Sequence, residues 1–245
     1  MQPEEARERI RALGFAPEDA EKLFAHFDDA ERRGKKGHGY TRIAWLETLR
    51  DLEPEARPER VLAQPGLERW EGHGALGYLT LAAICEAQIA SPPAAARLVV
   101  ATDCFPTGAL GYWVRQLAAS GLLALLTATS PARLSHPEGG APLAGTNPLA
   151  IAIPSSDDRP LVADVSMAKA TYGDVLAGDA APADVVAFGA EQAYKSFALA
   201  LGLQLLVDSL AGEGFGAVLL VARPVADPVP ALRARAGGVR LPGDR

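Results

Sequence analysis

Residues 37–42 place a histidine and an arginine four positions apart, His38 and Arg42, with a glycine on each side of the histidine. A helical continuation of the chain would put both side chains on the same side, at the mouth of a helix. A guanidinium is always charged and can bind a carboxylate through two hydrogen bonds, whereas an imidazole titrates near neutrality. The segment is therefore a candidate site for a carboxylated substrate. On these residues alone, a surface turn with unrelated charges is an equal alternative.

A second candidate site is the glycine-rich segment at residues 139–148, which ends in Gly-Thr-Asn-Pro and precedes a strand-like run. Such a turn offers free backbone N–H groups and small polar side chains, so a phosphate or a ribose could approach it closely. A structural turn that enters the strand explains the same residues equally well.

Other chemical signals in the sequence are weaker. The closely spaced glycines at residues 212–216 follow a helical pattern and precede a strand, the reverse of the order in a dinucleotide-binding loop, so we interpret them as a helix end and a turn. The four histidines are dispersed and predict no metal site, and His26 is assigned a surface or core role. Cys85 and Cys104 do not form a CxxC motif, which argues against a disulfide scaffold or a thiolate metal site.

Composition limits the classes of function. The 245 residues are 49% hydrophobic and 22% charged, which is typical of a globular protein. A net charge of −6 argues against a dedicated nucleic-acid binder. The N-terminus lacks the apolar segment of a secretion signal, and the apolar stretches 117–128 and 197–207 are too short to span a bilayer. We therefore expect a soluble, cytoplasmic protein with no membrane or nucleic-acid partner, and a core helix within residues 197–207.

Apolar residues at helical spacing predict an all-helical unit over the first fifty residues, with Pro17 as the first residue of its second helix. Residues 51–72 are rich in proline and charge, and we interpret them as a connector. Beyond residue 76 the pattern alternates between helix and strand, which indicates an α/β fold. Predicted helices cover residues 76–90, a stretch through Trp113 and Leu117, and 194–210; predicted strands cover 98–101, 122–127, 149–153, 161–165 and 218–221.

The connections between these elements carry further expectations. The turn at residues 154–158 joins two of the strands into a hairpin. Residues 173–190 are predicted to be a loop, and residues 236–245 to be extended and turn-like.

Taken together, these segments resemble a known family. Its motifs occur here in order as Gly37-His38-Gly39-Tyr-Thr-Arg42, Gly111-Tyr112, residues 139–154, Asp164-Val-Ser166, residues 195–201 and Leu241-Pro242-Gly243. The chain resembles the malate/L-lactate dehydrogenases that do not use a Rossmann fold. The resemblance implies a helical N-terminal unit, a central mixed or antiparallel sheet and a non-Rossmann nucleotide-binding fold. It further implies a helical substrate-side domain over 1–72, joined by 222–245, and a cofactor domain over 73–221.

The resemblance also implies a function and site residues. The expected function is that of a homodimeric reductase of small 2-oxo acids or cyclic 2-imino acids, with NADPH or NADH as cofactor. His38, Arg42 and Thr107 would face the substrate. The residues expected to line the cofactor are Gly145, Thr146, Asn147, Asp164, Ser166 and Lys195.

The sequence departs from the family at its proton donor. Pro106 occupies the place of the histidine of a His-Phe-Gly-x-x-Gly-Tyr motif, and proline cannot transfer a proton. Loss of a positioned acid typically costs about 10²–10⁴-fold in rate. Cys104, Thr107, Tyr112 and His38 are candidate replacements, of which we favour His38 or Tyr112. The chain is also shorter than usual between Asp164 and Lys195.

Three functions remain open at this point. A reductase with altered chemistry could act on a cyclic iminium, which is already protonated and accepts a hydride directly. The protein could instead catalyse a non-redox step, such as an isomerisation, cyclisation or lyase reaction, on a carboxylated metabolite. It could also be a non-catalytic dimeric binding protein.

Overall fold

The computed structural model describes residues 1–244 and contains one mixed sheet flanked by helices. The α-helices are α1 (Pro3–Ala12), α2 (Pro17–Arg32), α3 (Thr41–Leu46), α4 (Gly77–Ala90), α5 (Leu110–Ala119), α6 (Tyr172–Ala177), α7 (Ala193–Ala211) and α8 (Val229–Ala236). The strands are β1 (Glu59–Gln64), β2 (Leu67–Glu71), β3 (Ala96–Thr102), β4 (Leu123–Ala128), β5 (Leu149–Ile153), β6 (Leu161–Val165) and β7 (Ala217–Ala222). Short 3₁₀ turns lie at Lys36–His38, Pro182–Asp184 and Ala190–Gln192.

The predicted N-terminal helical unit is confirmed. Proline stands in the first turn of both α1 and α2, where its missing N–H leaves no helical hydrogen bond unmade. Ile10, Leu23, Phe27 and Ile43 from the three helices are fully buried. Their burial joins this unit to the same core as α4 and α5.

The predicted α/β class is also confirmed. The seven strands lie in the order β1-β2-β3-β7-β4-β5-β6, with β2 and β3 parallel and every other pair antiparallel. The β5–β6 hairpin forms through the turn expected between these strands. Side chains alternate between the two faces of each strand, so Val99 and Leu219 face the core beneath α4 and α5.

The predicted connector at residues 51–72 is wrong, because it contains β1 and β2. These strands form a hairpin around Pro65 and Gly66 and extend the sheet beside β3. β1 is an edge strand whose charged side chains are exposed, and the inward face of β2 carries Glu68 beside Trp70. A buried carboxylate at an inward position hides the apolar alternation that marks a strand. The division of the chain at residue 72 stays a prediction.

Two further segments differ from the sequence prediction. Residues 173–190, predicted as a loop, contain most of α6, which begins with a capping box in which Thr171 and Asp174 exchange hydrogen bonds. The helix α8 was not predicted from the sequence. The segment after β7 packs on the β5–β6 hairpin, where Arg233 pairs with Asp157 and the Val162 N–H donates to the Pro242 carbonyl.

The helix α7, predicted as a core helix, is buried on only one side. Phe197, Ala200 and Val207 pack inward, whereas Leu199 and Leu206 are exposed. The apolar run at residues 197–207 therefore does not indicate a completely buried helix. Within residues 1–244, none of the helices combines the length and apolar character needed to cross a membrane.

The buried Glu68 generates a prediction about stability. Its carboxylate accepts hydrogen bonds from Trp70 Nε1 at 3.2 Å and Gln88 Nε2 at 2.8 Å, and lies 3.2 Å from the guanidinium of Arg97. We expect Glu68→Ala to lower the free energy of unfolding by about 3 kcal/mol, because it leaves a buried cation without its carboxylate. Urea unfolding followed by circular dichroism measures the loss. Glu71→Ala, an exposed change on the same strand, should stay within about 0.5 kcal/mol of wild type, and equal effects of both variants would contradict the prediction.

Candidate active site

A cavity of about 460 Å³ lies where the N-terminal helical unit meets the ends of the sheet. Its walls come from the His38 turn and α3, the start of α4, residues 105–110, residues 129–133, the Gly-Thr-Asn-Pro turn, the end of β6 and the start of α6. A volume of this size suits a small ligand, and sites of this kind combine apolar walls with a few polar groups.

His38 is held at the edge of this cavity by the 3₁₀ turn Lys36–His38. Its Nδ1 is buried and has no hydrogen-bond partner. Burial lowers the pKa of the imidazole to about 4, and the positive charge of Arg42 acts in the same direction. His38 is therefore neutral at physiological pH and can donate or accept a hydrogen bond.

Arg42 is fixed beside His38 by two glycines. Its Nε donates to the Gly37 carbonyl at 2.8 Å, and its guanidinium lies 5.4 Å from the ring centroid of Trp45. A Cβ on Gly37 would lie 2.6 Å from the Gly173 carbonyl carbon, and one on Gly173 would lie 2.7 Å from an Arg42 nitrogen. Glycine at position 37 thus permits α6 to pack on the His38 turn.

The positive charge of Arg42 is uncompensated. Among the described residues, no carboxylate forms an ion pair with it. Lys35, another cation of the cavity wall, lies 2.6 Å from Asp164, and Asp174 uses its carboxylate to cap α6. An anionic ligand would therefore meet Arg42, and also Arg133, which lines the same cavity with its guanidinium 3.8 Å from the ring centroid of Tyr172.

One residue of the Gly-Thr-Asn-Pro turn lines the cavity, whereas two others are buried against α7. Thr146 lines the cavity with Ser166, whose hydroxyl donates to the Thr146 carbonyl. Asn147 is fully buried and donates to the Ala200 carbonyl at 3.0 Å. Gly145 is buried as well, and its N–H donates to Gln204 on α7. Gly145 and Asn147 therefore anchor the turn to α7, whereas Thr146 lies on the cavity wall.

The structure places Lys195 and Tyr112 away from this cavity. Lys195 is exposed on α7 and donates to Gln192. Tyr112 packs its ring on His26 and lines an adjoining hollow of about 500 Å³. Thr107 lies on the cavity wall, whereas Cys104 is a buried thiol outside the wall whose pKa is raised by burial.

Sequence reasoning missed the aromatic floor of the cavity. Tyr78, in the first turn of α4, is 1% exposed, lines the cavity and has a hydroxyl without a hydrogen-bond partner. His26 packs behind it with ring centroids 4.9 Å apart and accepts the Ala109 N–H at 3.1 Å. Burial lowers the pKa of His26 well below its ordinary value, so it is a neutral core residue. In the sequence, a glycine followed by a tyrosine at the start of a predicted helix was the one feature that could have pointed to Tyr78.

No metal site emerges from the geometry. Among residues 1–244, His, Cys, Asp and Glu side chains do not gather in groups of three that could hold a metal ion. The polar groups of the cavity suit an organic anion that carries hydrogen-bonding groups.

Comparison with known proteins identifies the class of this fold and site. The malate/L-lactate dehydrogenase family model matches residues 4–185. The chain belongs to the malate/L-lactate dehydrogenase family.

Individual relatives agree with this assignment. The chain is 30% identical over 170 residues to (2R)-3-sulfolactate dehydrogenase (NADP(+)) from Chromohalobacter salexigens, covering 68% of this chain and 51% of that protein. It is 30% identical over 150 residues to Delta(1)-pyrroline-2-carboxylate/Delta(1)-piperideine-2-carboxylate reductase from Pseudomonas putida, covering 60% of this chain and 44% of that protein. The chain thus spans about half the length of the curated relatives it matches.

Solved structures confirm the fold. The delta1-piperideine-2-carboxylate reductase from Pseudomonas syringae pvar. tomato superposes with a TM-score of 0.86 at 23% identity, covering 99% of this chain and 89% of that one. The sulfolactate dehydrogenase from Methanocaldococcus jannaschii superposes with a TM-score of 0.76 at 18% identity, covering 97% and 82%. The predicted family and its non-Rossmann fold are therefore confirmed.

The low pKa of His38 predicts a pH dependence of stability. Between about pH 6.5 and pH 4 the unfolded chain binds a proton at His38 that the folded chain does not, so acidification destabilises the fold. Wild type should lose about 2 kcal/mol more unfolding free energy than His38→Gln between about pH 7.5 and pH 5. Urea titrations at both pH values measure the difference. His136→Gln, at an exposed position, controls for removal of an imidazole, and parallel losses in wild type and His38→Gln would refute the assignment.

Proposed function

We propose that this protein is an NAD(P)H-dependent reductase of a small 2-oxo acid or cyclic 2-imino acid. The observation that carries the proposal is the guanidinium of Arg42, which faces a small cavity without a carboxylate partner among the described residues. The named reductases and dehydrogenases among its relatives support the reaction class.

We propose that Arg42 and His38 bind the carboxylate of the substrate. Arg42 offers a charged pair of donors in a fixed plane, which matches the two oxygens of a carboxylate. His38 is neutral, so it contributes a hydrogen bond and no charge. Thr107 adds a hydroxyl to the same wall. Together these groups favour a ligand that carries a carboxylate.

The cofactor would lie along the opposite wall. A bound reduced nicotinamide supplies the hydride. Thr146, Ser166 and Asp164 offer hydroxyl and carboxylate groups that suit a nicotinamide ribose, and Lys35 and Asp164 also line the adjoining hollow of about 500 Å³. That hollow shares Arg240, and Arg115, which is paired with Asp29, with a further hollow of about 810 Å³. Arginines suit the phosphates of NADPH or NADH, so the residues present fit the cofactor.

The predicted roles of Gly145, Asn147 and Lys195 toward the cofactor are weakened by their positions. Gly145 and Asn147 would act by holding the Gly-Thr-Asn-Pro turn in place. Lys195 would need a different arrangement of α7 to reach the nicotinamide, and we do not include it in the proposed site.

The nature of the substrate follows from the proton that reduction requires. Pro106 lines the cavity but has no proton to give, and the neutral imidazole of His38 is a poor acid at physiological pH. A protonated cyclic imine accepts a hydride and needs no further proton. Pro106 and His38 by themselves therefore favour a cyclic 2-imino acid over a 2-oxo acid.

Two other functions remain as alternatives. A non-redox isomerisation, cyclisation or lyase reaction could use the same carboxylate site, as could a non-catalytic dimeric binding protein. Neither would need the arginine-lined hollows beside the cavity. Those hollows favour the reductase.

Nucleotide binding tests the proposal directly. We expect NADPH or NADH to bind saturably, with enhanced nicotinamide fluorescence, and to be oxidised when Delta(1)-piperideine-2-carboxylate or pyruvate is added. Absorbance at the nicotinamide band measures turnover. Saturable binding without oxidation would favour the non-catalytic alternative, and no binding would refute the reductase.

The role of Arg42 generates a second prediction. Arg42→Gln should lower kcat/KM for the acid substrate about 10- to 100-fold, chiefly through KM, because it removes charged hydrogen bonds to the carboxylate. Steady-state kinetics measure the change. Arg11→Gln, an exposed change on α1, is the matched control. Equal KM values for wild type and Arg42→Gln would contradict the assignment.

We also propose a homodimer, supported by the exposed apolar face of α7. Leu199 and Leu206 lie seven residues apart on this face, 54% and 45% exposed, and such apolar faces are typical of interfaces. Light scattering after size exclusion should give about twice the chain mass of 25.6 kDa. Leu206→Glu should give the single-chain mass, and Val225→Glu, at an exposed apolar position elsewhere, should not. A monomeric wild type would refute the homodimer.

A further inference from the structure

We propose that Tyr78 donates the proton that completes reduction of a carbonyl substrate in this cavity. The inference rests on the proposed reductase function and adds a catalytic residue to it. It extends the range of substrates from the already protonated imine to the 2-oxo acid.

Close packing fixes Tyr78 at the floor of the cavity. A Cβ on Gly77 would lie 2.7 Å from the Phe105 nitrogen and 2.8 Å from the Pro106 carbonyl oxygen, so α4 begins directly against this loop. Gly108 leaves room for the rings of Tyr78 and His26, both of which a Cβ there would meet. The phenol therefore stands next to the backbone of residues 105–108, on the cavity wall that also carries Thr107.

The hydroxyl of Tyr78 is buried and lacks a partner. Buried polar groups are nearly always hydrogen-bonded, and an unpaired one is unfavourable for the fold. A phenylalanine would fill the same space without this cost. A ligand oxygen or nitrogen in the cavity would give the hydroxyl the partner that the protein does not.

The other groups of the cavity are less suited to give a proton. His38 is neutral, and the ammonium of Lys35 is paired with Asp164. Tyr172 is 38% exposed, with the guanidinium of Arg133 3.8 Å from its ring centroid. Tyr112 faces the adjoining hollow. Tyr78 thus combines an acidic hydrogen with a buried position on the wall.

The carbonyl carbon of the substrate gains a C–H bond from the hydride of the reduced nicotinamide, and the π electron pair of the carbonyl moves to its oxygen. That oxygen takes the proton of the Tyr78 hydroxyl, whose O–H bond breaks to leave a tyrosinate. Arg42 favours the tyrosinate electrostatically, against the effect of burial, which raises the pKa of Tyr78. Water returns the proton after product leaves.

Tyr78→Phe tests this role. The variant should fold as well as wild type, because the lost hydroxyl has no partner in the protein. We expect kcat for pyruvate reduction to fall about 10²–10⁴-fold, with nicotinamide binding unchanged. Reduction of the protonated cyclic imine should fall less than tenfold, so the ratio of the two rates reports on proton donation.

A second readout does not depend on turnover. In protein labelled with ¹³C at the tyrosine ring carbon that bears oxygen, the signal missing from Tyr78→Phe should shift when pyruvate binds without cofactor. Calorimetry should show weaker pyruvate binding to the variant. Tyr194→Phe, which removes an exposed phenol from α7, is the control for both experiments.

The outcomes separate this inference from the function on which it rests. If wild type reduces pyruvate and Tyr78→Phe retains more than a tenth of that rate, Tyr78 is not the donor. A loss confined to Tyr172→Phe or Tyr112→Phe would reassign the proton and also overturn the inference. If wild type neither binds nicotinamide nor reduces either substrate, the reductase function fails and the role of Tyr78 fails with it.

Discussion

The contact between two glycines, Gly37 and Gly173, is the constraint on which the site depends. A side chain on either residue would strike the opposing backbone or Arg42. Their close approach lets α6 cover the His38 turn, and the Gly37 carbonyl receives the Arg42 Nε at 2.8 Å. One packing contact thereby orients the guanidinium and removes water from the imidazole. The shortened stretch between β6 and α7 acts as a wall of the cavity and not only as a connection.

The burial of His38 also affects the charge of the site. His38 loses its proton because burial and Arg42 both oppose a second positive charge. Lys35 is neutralised by Asp164, and the carboxylate of Asp174 accepts hydrogen bonds from Thr171. What is left on the cavity wall is the positive charge of Arg42 and that of Arg133, whose guanidinium lies 3.8 Å from the ring centroid of Tyr172. A ligand with a carboxylate and a reducible centre beside it satisfies this arrangement better than a neutral one.

Much of the fold could be predicted because many of its helices and strands show a regular spacing of apolar residues. The helices α2 and α5 and the hairpin β5–β6 follow apolar periodicity closely, and the Gly-Thr-Asn-Pro turn stands where its strand begins. β1 and β2 escaped prediction because Glu68 lies on the buried face, where its partners Gln88 and Arg97 are distant in sequence. The inward face of a strand cannot be recognised when its polar residue is satisfied by another element.

The site residues show the same limit of prediction from sequence. Arg42 and His38 could be paired from their spacing, since one turn of chain brings them together. Tyr78 could not, because its relation to them depends on how α4 meets the loop at residues 105–108, which is distant in sequence from the arginine motif. Nor could the sequence separate Thr146, which faces the cavity, from Asn147, which anchors the turn to α7. Adjacent residues of one motif take opposite roles because the backbone turns between them, and only the packing of α7 decides which side chain points inward.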